Sequence, residues 1–326
     1  MTLFLSATDV DDLLNTKEVI DAVEQAHADL ATGVCVQPPI TTLDAPGSDA
    51  RFLPMTAISA RHDLAVVKFM ADIPSNRERG LPAQRSMIMV NSASTGECLA
   101  IIDGKIPTRD RTAAASAVAS RHLARPDSSV LGLVGAGQLA REHVAYLSSV
   151  LPIERVVVWS RSTATVQQFR DDVATEGLPV DAVNTPREVF DTADVVCTLT
   201  PSRSPIIDGR WFRPGQHINA VGAPPRADHR EIDSHGMARA KIVVDDYQIS
   251  IQKSGDSVLA LADGAIENAD LRTELGHVIT GDAAGRTSAD QITLYNSVGV
   301  AIQDLAIARL LIERAREWCR GRDFVK

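Results

Sequence analysis

Residues 128–162 read SSVLGLVGAGQLAREHVAYLSSVLPIERVVVWSRS. An apolar run, Val130–Val134, leads into the segment GAG at 135–137, and a helical spacing of apolar residues continues to a second apolar run that begins at Val156. This order of strand, glycine turn, helix and strand gives weight to the G-x-G-x-x-G/A pattern of dinucleotide-binding domains, whose last position is Ala140 here. The stretch therefore predicts the start of a Rossmann-type domain.

The glycine segment is predicted to hold the pyrophosphate of a dinucleotide. The first glycine allows a tight turn, and the second lets backbone N–H groups approach the phosphates at the positive end of the following helix. Glycine pairs also mark ordinary turns between a strand and a helix, which is the alternative interpretation. The cofactor contacts predicted here are Gly135, Ala136, Gly137, Gln138 and Leu139.

Alternating helix and strand patterns continue after this unit. They predict helices at Thr163–Glu176 and Pro186–Phe190, and strands at Asp181–Val183, Val195–Leu199, His217–Val221 and Lys241–Val244. Strands separated by such crossovers indicate a doubly wound parallel sheet, whose ligands bind beyond the carboxyl ends of the strands. Thr200, Val221 and Gly222 stand at predicted strand ends and are further candidates for cofactor binding.

The second strand ends in Trp159-Ser160-Arg161-Ser162. Domains that prefer NAD commonly have an acidic residue here, which accepts hydrogen bonds from the ribose 2′-OH. Arg161, flanked by Ser160 and Ser162, instead offers a guanidinium and two hydroxyls to a 2′-phosphate. The sequence therefore favours NADP(H), and NAD(H) is possible if Arg161 is only a solvated turn residue.

Composition and charge exclude several classes of protein. The net charge is −9 and no Lys/Arg cluster lies on a predicted helix, which argues against a nucleic-acid partner. The N-terminus lacks a basic region and no apolar run approaches the roughly 18–20 residues that span a membrane, so a cytoplasmic protein without a membrane partner is expected. The four cysteines are far apart and indicate neither a zinc site nor disulfides; they are expected to be buried free thiols.

The first part of the chain predicts a separate, largely antiparallel domain. Thr8 or Asp9 is expected to cap the first of two short helices. Strand patterns follow at Leu64–Met70 and Ser86–Asn91, and Ser94-Thr95-Gly96-Glu97 is a hairpin signal.

Two helical patterns bound the dinucleotide-binding region. A helix at Arg111–Leu123 is broken by Arg125-Pro126-Asp127, which predicts a domain boundary just before the glycine motif. Val298–Trp318 predicts a long amphipathic helix that returns to pack on the first domain.

Three charged positions are candidates for chemistry. Lys68 interrupts an apolar strand, where it either reaches solvent or faces a site as a lysine of lowered pKa. Arg111 opens a helix, and it either grips a carboxylate with two hydrogen bonds or is an ordinary surface arginine. Asp228 belongs to a charged run after a predicted strand, although most such runs are solvated loops. No Ser/His/Asp order or metal-ligand spacing is present, so no metal is expected and hydride chemistry would belong to a nicotinamide.

Several segments together resemble one family, the ornithine cyclodeaminase/mu-crystallin superfamily. They cover nearly the whole chain in family order, and are far more specific together than any one motif. The segments are Gly80-Leu81-Pro82, Thr95-Gly96 with Leu99-Ala100, Arg111-Thr112-Ala113-Ala114-Ala115-Ser116, the glycine motif, His217-Ile218-Asn219-Ala220-Val221-Gly222, Gly281-Asp282 with Gly285-Arg286, and Ser297-Val298-Gly299 with Asp304.

The resemblance implies an α/β protein with two domains. Residues 126–297 would form the Rossmann dinucleotide-binding domain, and residues 1–125, completed by the helical segment 298–326, would form a discontinuous α+β substrate domain that also makes a homodimer. By motif position, Lys68 and Arg111 correspond to the family's catalytic and carboxylate-binding lysine and arginine, and Thr112 would lie near the nicotinamide. The Trp159–Ser162 stretch is similar to NADPH-binding ketimine reductases.

The chain departs from the family pattern at two places. Cyclodeaminases carry an aspartate, their general acid/base, two residues beyond Val-Gly, but Pro224 stands there and cannot move a proton. The loop around Asp228 instead resembles the R-x-D-x-R-E-[LI]-D pattern of the reductase and dehydrogenase branches. Many members also have an arginine just after a Gln-Pro pair, which Gln37-Pro38 lacks, and Arg51 is predicted to supply that guanidinium to the substrate carboxylate.

The predicted function is an NAD(P)H-dependent reductase of an imine, cyclic or formed from a 2-oxo acid and an amine, which in reverse is an amino-acid dehydrogenase. Its partner would be a small amino acid, 2-oxo acid or cyclic imine. One alternative is an ornithine cyclodeaminase that uses NAD+ catalytically, against which Pro224 argues. The other is a crystallin-like protein that binds cofactor without chemistry.

Overall fold

The computed structural model describes residues 1–173 and 177–324, which form two compact units. Unit 1 comprises Met1–Arg111 and Val300–Lys326, and unit 2 comprises Thr112–Gly299. The division falls inside helix α3 (Lys105–Leu123), a helix that begins six residues earlier than the predicted Arg111. The functional division at 125/126 and 297/298 stays a prediction.

Unit 1 is built on an eight-stranded sheet. Elements are numbered along the chain, and the strands are β1 (Thr2–Leu5), β2 (Cys35–Val36), β3 (Leu43–Asp44), β4 (Arg51–Ser59), β5 (Leu64–Asp72), β6 (Gln84–Ser92), β7 (Cys98–Asp103) and β15 (Arg322–Phe324). The sheet order is β15-β1-β7-β6-β5-β4-β2, with β3 paired to β4. Only the β1/β7 pair is parallel among the described strands of this sheet. The predicted antiparallel domain and the hairpin at 94–97 are therefore confirmed.

Helices α1 (Ala7–Val10), α2 (Thr16–Ala31) and α11 (Ala301–Glu317) belong to the same unit. The residues that precede α1 and α2 are Ser6 and Asn15, so the predicted caps at Thr8 and Asp9 are wrong by two or three residues. Helix α11 packs on α2 and on strands β4, β5 and β6, as predicted for the C-terminal helix. It starts after the predicted Val298 because Gly299 has a φ of +79°, in the left-handed region, and Val300 is extended.

Strand β5 directs Lys68 into the interior of unit 1. Alternate side chains of a strand point to opposite faces, and Lys68 shares its face with the buried Val66 and Met70. Helix α11 covers this face of β5. A lysine is therefore enclosed between a sheet and a helix, where burial of a charge needs a partner.

Unit 2 contains a seven-stranded sheet. Its strands are β8 (Val130–Val134), β9 (Arg155–Trp159), β10 (Val180–Ala182), β11 (Val195–Thr198), β12 (His217–Ala220), β13 (Lys241–Val244) and β14 (Thr293–Asn296). They pair in parallel in the order β10-β9-β8-β11-β12-β14-β13. The doubly wound parallel sheet is confirmed, but β14, which inserts between β12 and β13, was not predicted.

The helices of unit 2 connect these strands. They are α4 (Gln138–Ser148), α5 (Thr163–Val173), α6 (Pro186–Thr192), α7 (Ser234–Arg239), α8 (Tyr247–Lys253), α9 (Gly255–Ala262) and α10 (Leu275–Thr280). The last three residues of the predicted helix at Thr163–Glu176 lie outside the described residues.

Two further features concern membrane-spanning helices and the cysteines. In the described part of the chain, no helix is both long and apolar enough to cross a membrane. All four cysteines are free, but only Cys35 and Cys197 are buried, and Cys319 is exposed. The expectation of four buried thiols is therefore wrong.

Candidate active site

Lys68 lies at the centre of a polar cluster inside unit 1. Its Nζ donates hydrogen bonds to Thr108 Oγ1 at 2.7 Å and to Asp304 Oδ1 at 2.9 Å, and its side chain is 0% exposed. Burial lowers the pKa of Lys68 to about 8, although the Asp304 carboxylate acts in the opposite direction. The solvated alternative for Lys68 is wrong, and an amine with this pKa can gain or lose a proton near neutral pH.

Arg111 joins this cluster from helix α3. Its Nη1 donates to Gln303 Oε1 at 2.9 Å, its Nε lies 3.7 Å from Asp304 Oδ1, and the residue is only 5% exposed. Gln303 Nε2 in turn lies 3.1 Å from Nε2 of the buried His27. The surface alternative for Arg111 is therefore wrong, since its guanidinium is held by α11.

The cluster has an excess of positive charge. In the described part of the chain, Lys68 Nζ and Arg111 Nε both lie within 4 Å of one buried carboxylate oxygen, Asp304 Oδ1, so these two cations share that anion. Among residues 1–173 and 177–324, Arg111 Nε and Asp304 Oδ2 have no hydrogen-bond partner although both atoms are buried. Buried charges need partners, and a guanidinium with a free N–H beside an ammonium suits a carboxylate ligand.

Three residues of this cluster were given no role by the sequence prediction: Thr108, Gln303 and Asp304. Thr108 lies one helical turn before Arg111, a spacing that puts both on one face of α3. Asp304 was recognised as part of the family pattern, and a charge in the middle of an apolar helical segment was the available signal.

Arg51 and Asp228 lie outside this cluster. Arg51 begins β4, and its Nε donates to Asp44 Oδ1 at 2.5 Å. The residue opposite Lys68 on β4 is Met55, four positions farther along the strand. Asp228 belongs to unit 2, is exposed, and accepts a hydrogen bond from His229 Nδ1 at 3.0 Å. Their predicted roles stay predictions.

The glycine motif of unit 2 has the geometry of a phosphate cradle. Gly135 has a φ of +118° and donates its N–H to the Trp159 carbonyl at 2.8 Å. A Cβ at this position would lie 3.0 Å from the Leu199 carbonyl oxygen, which is too close for most side chains. Gly137 precedes α4 in an extended conformation without a side-chain cap, and a Cβ there would meet nothing within 4 Å. Uncapped N–H groups beside open space fit an anionic pyrophosphate.

The loops after β11 and β12 lie against each other at the same edge of the sheet. A Cβ on Gly222 would come within 2.1 Å of the Thr200 backbone nitrogen, so only glycine fits there. Glu231, which the sequence prediction passed over in favour of Asp228, accepts hydrogen bonds from both loops and is 0% exposed. The structure thus brings Thr200 and Gly222 together, with the half-buried Val221 beside them.

Ser160–Ser162 follow β9, next to the glycine turn in the sheet order. Arg161 and Ser162 are exposed, and Ser160 is half-buried. In the described ranges, Arg161 has no ion-pair partner, so its guanidinium is available to an anion. Thr112, half-buried on α3, follows Arg111 directly. No group of three or more His, Cys, Asp or Glu residues that could hold a metal occurs in the part of the chain that the structure describes.

The family model for the ornithine cyclodeaminase/mu-crystallin family matches residues 1–318. The chain belongs to this family. The resemblance found in the sequence motifs is therefore confirmed, and the family's relatives can be compared with the geometry of both units.

Reductases and dehydrogenases are among the similar proteins. Alanine dehydrogenase of Archaeoglobus fulgidus is 34% identical over 314 residues, which cover 96% of this chain and 95% of the relative. The structure of the Thermococcus litoralis Delta(1)-pyrroline-2-carboxylate reductase in complex with NADH and L-proline has a TM-score of 0.96 and 33% identity, and covers 99% of this chain and 100% of that one.

An archaeal alanine dehydrogenase dimer with bound NAD has a TM-score of 0.93 and 32% identity, with 99% of each chain covered. The predicted fold class, a Rossmann-type domain with a second α+β unit, is confirmed by these neighbours.

Proposed function

We propose that this family member is an NAD(P)H-dependent reductase of an imine that carries a carboxylate, and in reverse an amino-acid dehydrogenase. The observation that carries the proposal is the buried cluster in which Lys68 and Arg111 share the carboxylate of Asp304. Imines of 2-oxo acids and the corresponding amino acids supply the missing negative charge. The relatives named above, which act on alanine and pyrroline-2-carboxylate, support this class of substrate.

Arg111 and Lys68 have separate tasks in this proposal. The Arg111 guanidinium holds the substrate carboxylate with the N–H groups that Gln303 does not use. The Nζ of Lys68 orients the substrate and passes a proton to or from its nitrogen, for which a pKa of about 8 is suitable. Binding of the carboxylate positions the C=N carbon, so less translational and rotational entropy is lost on reaching the transition state.

The cofactor would be held by the edge of the unit 2 sheet. Its pyrophosphate would lie on the glycine turn, and its ribose and nicotinamide on the loops after β11 and β12. These two loops pack closely against each other at Gly222 and Thr200. The nicotinamide supplies or removes the hydride when it is bound. The exposed Arg161 favours the 2′-phosphate of NADP(H), whereas neighbouring structures contain NADH or NAD.

The test is the oxidation of NADPH and, separately, of NADH at 340 nm. The substrates are pyrroline-2-carboxylate and 2-oxo acids with ammonia or methylamine. We expect oxidation that requires one of these substrates and is faster with NADPH. Ammonia release from ornithine with NAD+ and no net NADH turnover would instead identify a cyclodeaminase. Cofactor binding with no turnover of any substrate would identify a binding protein.

We also propose that the protein is a homodimer formed through the outer face of the unit 1 sheet. Four large apolar side chains on this face are between 38% and 47% exposed: Ile58, Phe69, Met87 and Met89. Phe69 stands opposite Met87 in the ladder, and its ring stacks on Phe52 at 5.5 Å. A contiguous apolar sheet face of this kind marks an interface, and the alanine dehydrogenase neighbour is a dimer.

Replacing Phe69 by glutamate is expected to convert the dimer to a monomer, because two charges would be buried across the interface. Light scattering coupled to size-exclusion chromatography measures the mass directly. Trp318→Glu is the control, since Trp318 is 48% exposed but lies outside this strand face. A monomeric wild type, or a Phe69→Glu variant that stays dimeric, would contradict the proposal.

A further inference from the structure

Glu231 accepts four hydrogen bonds at the edge of the unit 2 sheet, three from the loops after β11 and β12 and one from the last residue of β11. Its Oε1 accepts from the backbone N–H and the hydroxyl of Thr200, both at 2.7 Å. Its Oε2 accepts from Thr198 Oγ1 at 2.8 Å and from the backbone N–H of Gly222 at 2.9 Å. The carboxylate thus connects the ends of two adjacent strands, β11 and β12.

The sheet holds the first residue of each loop: Leu199 donates its N–H to the Val134 carbonyl at 2.8 Å, and Val221 donates its N–H to the Thr198 carbonyl at 3.2 Å. The ladder between β11 and β12 ends at the pair Thr198 and Ala220, before Thr200 and Gly222. Beyond that pair, Thr200 and Gly222 donate their backbone N–H groups to the Glu231 carboxylate and not to the neighbouring strand. Thr200 and Gly222, one residue farther along each loop, are therefore held by Glu231.

A second buried carboxylate fixes Glu231 in turn. Asp256, at the start of α9, accepts from the backbone N–H of Glu231 at 2.9 Å and of Ile232 at 3.0 Å. Burial, together with the neighbouring Asp256, raises the pKa of Glu231 to about 7. Burying a carboxylate costs free energy unless it is hydrogen-bonded, and four hydrogen-bond donors offset that cost here. A neutral amide has one acceptor oxygen and could not accept from all four donors.

We propose that Glu231 is a positioning residue of the cofactor site: it sets the Thr200 and Gly222 loops in the conformation that accepts the nicotinamide cofactor. Glu231 is fully buried, so it acts through these loops and does not contact the cofactor. The inference rests on the proposed cofactor site and adds a residue to it that neither the glycine motif nor the strand-end pattern contains.

A residue with only a structural role would affect stability but not cofactor affinity selectively. Asp194 provides the matched control at the opposite edge of the same sheet. Its Oδ2 accepts from the backbone N–H of Ser129 at 3.0 Å and of Val130 at 3.1 Å, next to the amino end of β8. Like Glu231, it is a carboxylate that holds two backbone N–H groups, and its Oδ1 also accepts from Arg125 Nη2 at 3.1 Å. It lies at the opposite end of the strands from the glycine turn.

The experiment compares the full-length wild type with Glu231→Gln and Asp194→Asn. Glutamine keeps the shape of the glutamate side chain but has one acceptor oxygen. Its amide NH2 group must then face a backbone N–H donor, so that hydrogen bond is lost. We expect the Kd of NADPH and NADH, measured by calorimetry, to rise about tenfold or more in Glu231→Gln. The KM of the imine at saturating cofactor should change less than about threefold, because that substrate binds at Lys68 and Arg111. Asp194→Asn should lower the thermal midpoint with cofactor Kd within about twofold of the wild type.

Wild-type cofactor affinity in a folded Glu231→Gln variant would overturn the inference, as would an equal loss in Asp194→Asn. Failure of the wild type to bind either cofactor would overturn the proposed function as well. If Glu231→Gln does not fold, Thr198→Val removes one donor to Glu231 without changing the side-chain shape. Its cofactor Kd should rise about threefold, and an unchanged Kd would also contradict the role.

Discussion

Replacement of Lys68 by methionine is expected to lower kcat/KM for imine reduction by about 10²- to 10⁴-fold, the usual contribution of a positioned proton donor. The variant removes the ammonium that contacts Asp304 and Thr108, but leaves unit 2 unaltered. The Kd of NADPH and NADH should therefore stay within about twofold of the wild type. Steady-state kinetics and calorimetric titration measure the two quantities separately.

The variant also leaves the Asp304 carboxylate buried, with Arg111 Nε at 3.7 Å as the remaining cation. Breaking a buried pair typically costs about 3 kcal/mol of unfolding free energy or more, whereas removal of both partners is much less costly. The double variant Lys68→Met/Asp304→Leu removes this pair but leaves the buried Arg111 without its carboxylate, so it should recover only part of the stability in urea unfolding and none of the activity. Lys105→Met, at an exposed lysine, controls for loss of a charge. Near wild-type turnover in Lys68→Met would refute the assigned role.

The pH dependence follows from the same ammonium. If protonated Lys68 is the active form, log kcat/KM should fall with unit slope above pH 8, the approximate pKa of Lys68, and the break should be absent in the methionine variant. The pKa of Lys68 in the folded protein lies below the ordinary lysine value of 10.5, so the unfolded chain binds more protons between about pH 8 and 10.5. The contribution of this group to the free energy of unfolding therefore rises with pH across that window.

The burial of Lys68 was ambiguous in the sequence for a physical reason. A half-buried strand alternates between apolar and polar residues, but here Val67 and Phe69 on the outer face are apolar as well. If that face is a dimer interface, both faces of β5 are apolar, and the pattern cannot show which side encloses the lysine. The family motif, rather than the periodicity, gave Lys68 its predicted role.

The doubly wound sheet could be predicted because its signals are local. The glycine turn, the helix that follows it and the two apolar strands lie within 35 consecutive residues. Strand β14 was missed because its residues 293–296 are too few to show a period and follow a long irregular segment.

The partners in the candidate sites could not be predicted in the same way. Asp304 meets Lys68 across 236 positions of sequence, and that pairing depends on how α11 lies on the sheet. Asp228 and Glu231 are three residues apart in one charged loop, yet one is exposed and the other is buried. Periodicity does not extend into loops, so the sequence identified the charged run but not the member that points inward.

Replacement of Arg111 by leucine should abolish the preference for substrates with a carboxylate. Pyrroline-2-carboxylate and 1-pyrroline, the same ring without the carboxylate, form a matched pair of substrates. For the first, kcat/KM should fall about 100-fold, which corresponds to about 2.8 kcal/mol and lies within the range of about 2–5 kcal/mol for truncating one partner of a buried charged contact. For the second it should change less than about threefold, since that substrate offers Arg111 nothing to bind.

Two further variants sharpen this test. Arg111→Lys retains the charge but not the planar donor pair, so it should lose about tenfold toward the carboxylate substrate. Arg121→Leu, on an exposed turn of the same helix, should resemble the wild type. An equal fall for both substrates in Arg111→Leu would indicate that Arg111 supports the fold through Gln303 rather than the substrate. A fall in kcat/KM for pyrroline-2-carboxylate alone would show that the Arg111 guanidinium binds the carboxylate of the amino or imino acid.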